Sequence, residues 1–296
     1  MGYCLTTDAT LYRSISVTTA PARTRRFDLR RLYTAAVLIP AVYGIIVFLP
    51  PWALTLLLIT VGSMALLELY RMGFQSRVNR PLVIVGLVAF VLVLARSHVS
   101  LRLEELLIAS GLLITIATFF LPDSMEQRWK DGALTFFGIV YIGFTLSTAV
   151  ATRSLQGGEY LILFLAVVTW ASDTGAYYAG TLWGKHLLMP SISPKKTVEG
   201  VLGGLVLAIA AALLAQLWFA SQLSLWDGLV LGIFLTLSGL VGDLFESAIK
   251  RRQGVKDSGG ILPGHGGMLD RLDSLLFTAP TFYYYVTCIR GLSPPL

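Results

Sequence analysis

The chain has 296 residues, of which 55% are hydrophobic and only 14% charged, and its mean hydropathy is +0.72. So few polar side chains cannot cover a water-facing surface, which excludes an ordinary soluble domain and predicts an integral membrane protein. The net charge of +6 falls on one tail and the loops of one side, where it would lie against anionic lipid, so it implies no nucleic-acid partner.

Residues 1–31 are polar, rich in Thr and Arg and without periodicity, which predicts a mobile cytoplasmic tail. The opening MGYCLT fits the loose N-myristoylation pattern, but a lipid anchor would add little to a polytopic chain. The first apolar run starts too late and is too long for a cleavable signal. Crossing a hydrocarbon core of about 30 Å takes about 20 helical residues. Nine apolar runs approach that length: 32–50, 52–69, 81–95, 105–121, 133–151, 159–180, 199–220, 226–249 and 272–290. The expected fold is therefore all-α and polytopic, with about nine transmembrane helices and a cytoplasmic N-terminus. The helices of 32–151 form an N-terminal region and 152–296 a C-terminal catalytic region. With this topology 19 of the 23 Lys and Arg residues lie on the cytoplasmic side, as the positive-inside rule requires. The loops 181–198 and 250–271 then both face the cytoplasm. Cys4 and Cys288 are set far apart, one in the tail and one near the far end of the last span, which argues against a disulfide or a metal–thiolate site.

On the eighth run Asp243, Glu246, Ser247 and Lys250 recur at i, i+3, i+4 and i+7, and so share one helical face. Asp270, Asp273 and Ser274 repeat the arrangement at the start of the ninth. The two helices are antiparallel neighbours, so four carboxylates converge where the dielectric is low. They repel one another unless a cation is present, and hard oxygen ligands suit Mg²⁺. The competing reading pairs these acids with Lys250, Arg251, Arg252 and Arg271 as interfacial ion pairs.

Between the two helices lie Gly259-Gly260 and Pro263-Gly264-His265-Gly266-Gly267. Glycines let backbone N–H groups approach an anion, and the following helix N-terminus favours phosphate; His265 could hydrogen-bond or protonate that phosphate. A second polar set surrounds Asp173, flanked by Ser172 and Thr174 inside an apolar run, where a carboxylate is costly unless it faces a site or a watery cavity. Lys185, Lys195 and Lys196 offer point charges for a polyphosphate, and Ser193, Thr197 and Glu199 offer polar ligands. Elsewhere Glu68 and Arg71 read as an interfacial pair, Trp129, Trp170 and Trp183 as interfacial anchors, and Gly203-Gly204 as a close helix-packing contact.

These motifs resemble those of the phosphatidate cytidylyltransferases, or CDP-diacylglycerol synthases. The resemblance is carried by Ser247-x-x-Lys250-Arg251, Lys256-Asp257-Ser258-Gly259, Pro263-Gly264-His265-Gly266-Gly267 and Asp270-Arg271-x-Asp273-Ser274. Ser172-Asp173-Thr174-Gly175 and Ser193-Pro194-Lys195-Lys196-Thr197-x-Glu199-Gly200 extend it, so that it covers roughly residues 160–280 strongly. The family reaction is CTP plus phosphatidate giving CDP-diacylglycerol and pyrophosphate, with Mg²⁺ required. The resemblance implies that Asp243, Asp270 and Ser247 hold the metal and that Lys250, Asp257, His265 and Asp273 are catalytic. It implies substrate contacts from Asp173, Lys195, Lys196, Thr197, Arg251, Lys256, Gly266, Gly267 and Arg271. It leaves open which of Asp173, Asp257 and Asp273 touch metal directly, allows a second cation and a homodimer, and places the enzyme in a bacterial inner membrane with its site facing the cytoplasm. Two rivals remain. A CTP-using polyprenol kinase would transfer the γ-phosphoryl instead, and a cation-coupled transporter would use Asp173 and Asp243 as an ion path. No internal repeat of the transporter kind is evident, and the acids cluster at one membrane face.

Overall fold

The computed structural model describes residues 29–74, 79–99, 101–255, 259 and 267–294, with side chains from residue 39 onward. The helices are α1 (Leu29–Phe48), α2 (Pro51–Gly73), α3 (Arg80–Ala95, carried by a 3-10 turn to His98), α4 (Leu103–Phe119) and α5 (Met125–Arg153). They continue with α6 (Gly158–Trp183), α7 (Val198–Trp218), α8 (Leu225–Arg252) and α9 (Leu269–Tyr284, extended by a π-helical turn to Ile289). Their order follows the predicted runs, but six are long and apolar enough to cross a membrane: α2, α3 with its 3-10 turn, α5, α6, α7 and α8. The count of nine is therefore not established by length and composition. At 1.5 Å per residue the 17 residues of α4 reach only about 26 Å. Of α1 only Ile39–Phe48 can be assessed, and α9 spends its first turns on acids.

Local chemistry sets the helix starts. Pro51 stands at the first position of α2, where its missing N–H is no loss. Ser224 opens α8 with a capping box, accepting from Asp227 N while the Asp227 carboxylate accepts from Ser224 N. The same buried Asp227 accepts from Tyr285 Oη at 2.7 Å and pairs with Arg290 at 3.1 Å, so the N-terminus of α8 is clipped to the far end of α9. Within the bundle Leu66, Leu69, Tyr70, Phe90, Ile139, Ile142, Leu146, Phe164 and Phe282 are fully buried, and Phe164 of α6 stacks on Phe282 of α9 at 5.6 Å.

The all-α expectation holds, with one small exception among the described residues. The loop after α6 contains a two-stranded antiparallel hairpin, β1 (Leu187–Met189) and β2 (Ser193–Thr197), with Leu187 opposite Thr197 and Met189 opposite Ser193. Glu199 locks it: its carboxylate accepts from the backbone N–H of Lys185 and His186 and pairs with His186 Nδ1 at 2.5 Å. Glu199 is thus engaged in holding the hairpin rather than free as a ligand. Thr197 then caps α7, its hydroxyl accepting from Gly200 N at 3.1 Å. Glycine brings α6 and α7 together as expected, since a Cβ on Gly175 would come within 2.5 Å of the Gly203 carbonyl oxygen.

Candidate active site

Four elements meet at the end of the bundle where α6 and α8 finish and α7 and α9 begin. Between them lies a cavity of about 370 Å³ lined by Asp173 of α6, Lys195 and Lys196 of β2, Thr197, Asp243 of α8, and Asp270, Asp273 and Ser274 of α9. Gly200, Gly204 and Gly239 form part of its wall, which lets the helices close in behind the polar groups.

Two lysines divide the acids. Lys196 Nζ lies 2.8 Å from Asp243 Oδ2 and reaches toward the Leu240 carbonyl at 3.5 Å. Lys250 Nζ lies 2.5 Å from Asp270 Oδ1 and 2.7 Å from Glu246 Oε2. Asp270 Oδ2 also accepts from Gly267 N at 3.1 Å, and Asp273 Oδ1 from Ser274 N at 2.6 Å. Ser247 Oγ donates to Asp243 Oδ1 at 3.4 Å.

The carboxylates of Asp243, Glu246 and Asp273 each place an oxygen within 4.8 Å of the others. Glu246 is 1% exposed and, apart from the Lys250 ammonium, neither of its oxygens receives a well-directed hydrogen bond among the described residues. A buried carboxylate that shares its one cation, Lys250, with Asp270 and stands beside two further acids fits a hard divalent cation, because hard cations take oxygen ligands and their charge relieves the mutual repulsion. The residues present therefore fit a hard divalent cation. The grouping differs from the one the resemblance implies. Asp243 is joined by Glu246 and Asp273, while Asp270, on the same cavity wall, has its oxygens turned to Lys250 and Gly267. The sequence places Glu246 on the right face but gives no reason to prefer it, since i+3 spacing is shared by many ion pairs.

Among the other predicted contacts, Lys195 is exposed on the cavity rim and Thr197 supports the wall while capping α7. Arg251 is not among the residues lining the cavity; its Nε donates to the Ile192 carbonyl at 3.4 Å and tethers the hairpin to α8. Arg271 is exposed, one residue beyond Asp270, and Gly267 is buried. Lys256, Asp257, His265 and Gly266 lie outside the described residues.

The start of α9 departs from the expected phosphate-binding helix N-terminus. Met268 N and Leu269 N donate to Glu68 Oε1 and Oε2 of α2, both at 2.9 Å, and Gly267 N is taken by Asp270. An anion is bound there, as the helix dipole favours, but it is the protein's own. Glu68 is 1% exposed, so it is a buried cap across the bundle and not an interfacial residue. Its one sequence signal is an acid near the end of an apolar run.

Residues 29–289 match the cytidylyltransferase family. A relative from Staphylococcus saprophyticus, named phosphatidate cytidylyltransferase, is 38% identical over 249 residues, which cover 81% of this chain and 94% of the relative. One of the same name from Bacillus subtilis is 36% identical over 262 residues, covering 87% of this chain and 97% of the relative. A family match over residues 29–289, with relatives 36–38% identical over more than four fifths of the chain, establishes that the chain belongs to the cytidylyltransferase family.

Proposed function

We propose that this chain transfers the cytidylyl group of CTP to phosphatidate, giving CDP-diacylglycerol and pyrophosphate, in an Mg²⁺-dependent reaction at the cytoplasmic face of a bacterial inner membrane. The observation that carries the reading is the cavity, where Asp243 and Asp273 of the lining, with the buried Glu246 behind them, form a candidate cation site beside two lysines able to meet a polyphosphate. The names of the bacterial relatives support the substrates. A topology of nine spans would place 19 of the 23 Lys and Arg residues on the cavity side, and the agreement of that split with the positive-inside rule supports a cytoplasmic orientation. In this reading 152–296 carries the catalytic groups and 32–151 the supporting helices, and a homodimer is compatible with the family resemblance.

Asp243, Glu246 and Asp273 would hold the Mg²⁺, with Asp270 and Ser247 beside them. When bound, the ion supplies charge neutralisation at the transferring phosphoryl group. Lys195 and Lys196 bind the β- and γ-phosphates, and Lys196 leaves Asp243 to do so. The phosphatidate phosphate oxygen forms a bond to the α-phosphorus as the bond to the bridging oxygen breaks, and the electron pair leaves on pyrophosphate, where the two lysines balance it. Phosphatidate is already an anion, so the site needs no strong general base. Positioning and charge stabilisation dominate, as in other phosphoryl transfers. Lys250 keeps Asp270 and Glu246 in register. Asp173 and Arg271, with Lys256, Asp257, His265 and Gly266 of the signature, complete the proposed substrate contacts and catalytic groups, while Arg251 and Gly267 serve the hairpin and Asp270 instead.

The test is a mixed-micelle assay with phosphatidate and CTP labelled at the α-phosphate, run with and without Mg²⁺ beside Asp243→Ala and Asp273→Ala. The expected result is Mg²⁺-dependent label in lipid that both substitutions abolish. Folded protein that labels no lipid overturns the proposal, and lipid label from γ-labelled CTP with a polyprenol would assign a kinase.

A further inference from the structure

The first helical turn of α9 carries Asp270 and, one turn on, Asp273, yet the helix begins without a cap of its own. Its N-cap residue is Met268, which makes no side-chain cap hydrogen bond and cannot accept one as Ser, Thr, Asp or Asn would. The missing acceptor comes from α2, 200 residues earlier. Glu68 Oε1 takes the Met268 N–H and Oε2 the Leu269 N–H, each at 2.9 Å. Charge-assisted hydrogen bonds of this kind are about twice as strong as neutral ones, and both lie out of water because Glu68 is 1% exposed.

Both ends of the signature loop converge on the same carboxyl group. A Cβ on Gly259 would lie 2.7 Å from Glu68 Oε1 and 2.9 Å from its Cδ, so glycine is what allows the chain to pass there. Glu68 itself cannot drift, since its neighbours Leu66, Leu69 and Tyr70 are fully buried in the core. A helix moves as a rigid rod over its first turns. Fixing the N–H groups of residues 268 and 269 therefore fixes the rotation and height at which the carboxylates of 270 and 273 enter the cavity.

We infer that Glu68 is a positioning residue for the proposed cytidylyl transfer: it supplies the N-terminal cap of α9 from α2 and thereby sets Asp270 and Asp273 against Lys250, Asp243 and Glu246. The inference rests on the reaction given above, but the clamp itself is readable without turnover. It also assigns a site function to α2.

The test uses full-length Glu68→Gln, Glu68→Ala and Gly259→Ala. Amide hydrogen exchange is followed across 267–273, with α6 as an internal control, and kcat and KM are measured for CTP and phosphatidate. Glu68→Gln keeps one carbonyl acceptor and loses the charge, so kcat should fall about tenfold. Glu68→Ala loses both bonds, and kcat should fall about 100-fold, the scale expected when reacting groups are displaced by about 1 Å. Exchange should speed up at 267–273 and not in α6, and KM for phosphatidate should hold. Wild-type kcat in folded Glu68→Ala or Glu68→Gln overturns the inference, as does faster exchange spread evenly through α6 as well. Where Glu68→Ala does not fold, Gly259→Ala decides: a drop in kcat supports the inference and wild-type kcat overturns it. Wild-type protein that fails to label lipid, while residues 268 and 269 lose protection in Glu68→Ala, overturns the reaction and leaves the clamp standing.

Discussion

Lys250→Met is the substitution whose cost the geometry specifies most closely. Lys250 Nζ sits 2.5 Å from Asp270 and 2.7 Å from Glu246, with side-chain exposures of 13%, 20% and 1%. Methionine preserves the length of the stem and removes the charge, leaving two acids facing each other. Removing one member of a buried ion pair costs about 3–5 kcal/mol. Asp270 keeps its bond from Gly267 N and some water, so the lower end, about 3 kcal/mol, applies. At about 2–4 °C per kcal/mol for a chain approaching this size, the unfolding midpoint in detergent should fall by about 6–12 °C. Adding Glu246→Gln removes one of the two facing charges and should restore most of that loss, a coupling of about 0.5–3 kcal/mol in a double-mutant cycle. The cycle is read from tryptophan fluorescence melts and does not depend on activity. An additive cycle, or a Lys250→Met midpoint equal to wild type, would refute the assignment of Lys250 as the cation that holds Glu246 and Asp270 together.

Chelation with EDTA should abolish transfer and Mg²⁺ should restore it, and Asp243→Asn or Asp273→Asn should each lower kcat at least ~100-fold; full activity in chelator would remove the metal from the mechanism. Lys196→Met should raise the KM for CTP ~10- to 100-fold, the scale of a lost charged hydrogen bond, while lowering the Mg²⁺ needed for half activation, because it also frees Asp243; a rise in both would show that the Lys196–Asp243 pair assists the metal instead of competing with it. Asp227→Asn cuts the clip to Tyr285 and Arg290 at the opposite end of the bundle and should cost about 1.5–3 kcal/mol in stability with kcat unchanged, as melts and steady-state rates will show.

The helices were legible because apolar runs long enough to cross lipid leave little choice, and the shared face of Asp243, Glu246 and Ser247 followed from helical spacing. The hairpin was not legible. Its strands are three and five residues long, with Pro190 and Pro194 in or beside them, and it persists because Glu199 and Arg251 bind its backbone. The ligand grouping was also hidden. Spacing puts Asp270 and Asp273 about 60° apart on one helix, too close to say which meets a cation. That depends on Lys250, one turn beyond Glu246 on the neighbouring helix, capturing Asp270 and leaving Asp273 to Asp243. Glu68 was the least legible of all, because a cap given across 200 residues leaves only an acid near the end of an apolar run, whose spacing to Arg71 reads as an interfacial pair instead.

The two lysine pairs differ in kind, and magnitude decides what each is for. Asp243 in the Lys196 pair has 38% of its side chain exposed, and pairs so open to water are worth about 0–1 kcal/mol. A nucleotide phosphate can therefore take Lys196 at little cost, leaving Asp243 free when the substrate arrives. The Lys250 pair is closed from solvent by Glu246 at 1% exposure, and breaking it is several times more costly. It should persist through the catalytic cycle, as should the Glu68 cap behind it. Behind the cavity thus lies a fixed set, Glu68, Lys250 and Glu246 holding the lining residue Asp270, while Lys195, Lys196 and Asp243 of the lining form an exchangeable set. The fixed set lies at the end of the bundle, where Glu68 of α2 and the last turns of α8 hold the start of α9. The exchangeable set lies on the hairpin side, where the proposed reaction would admit a water-soluble nucleotide.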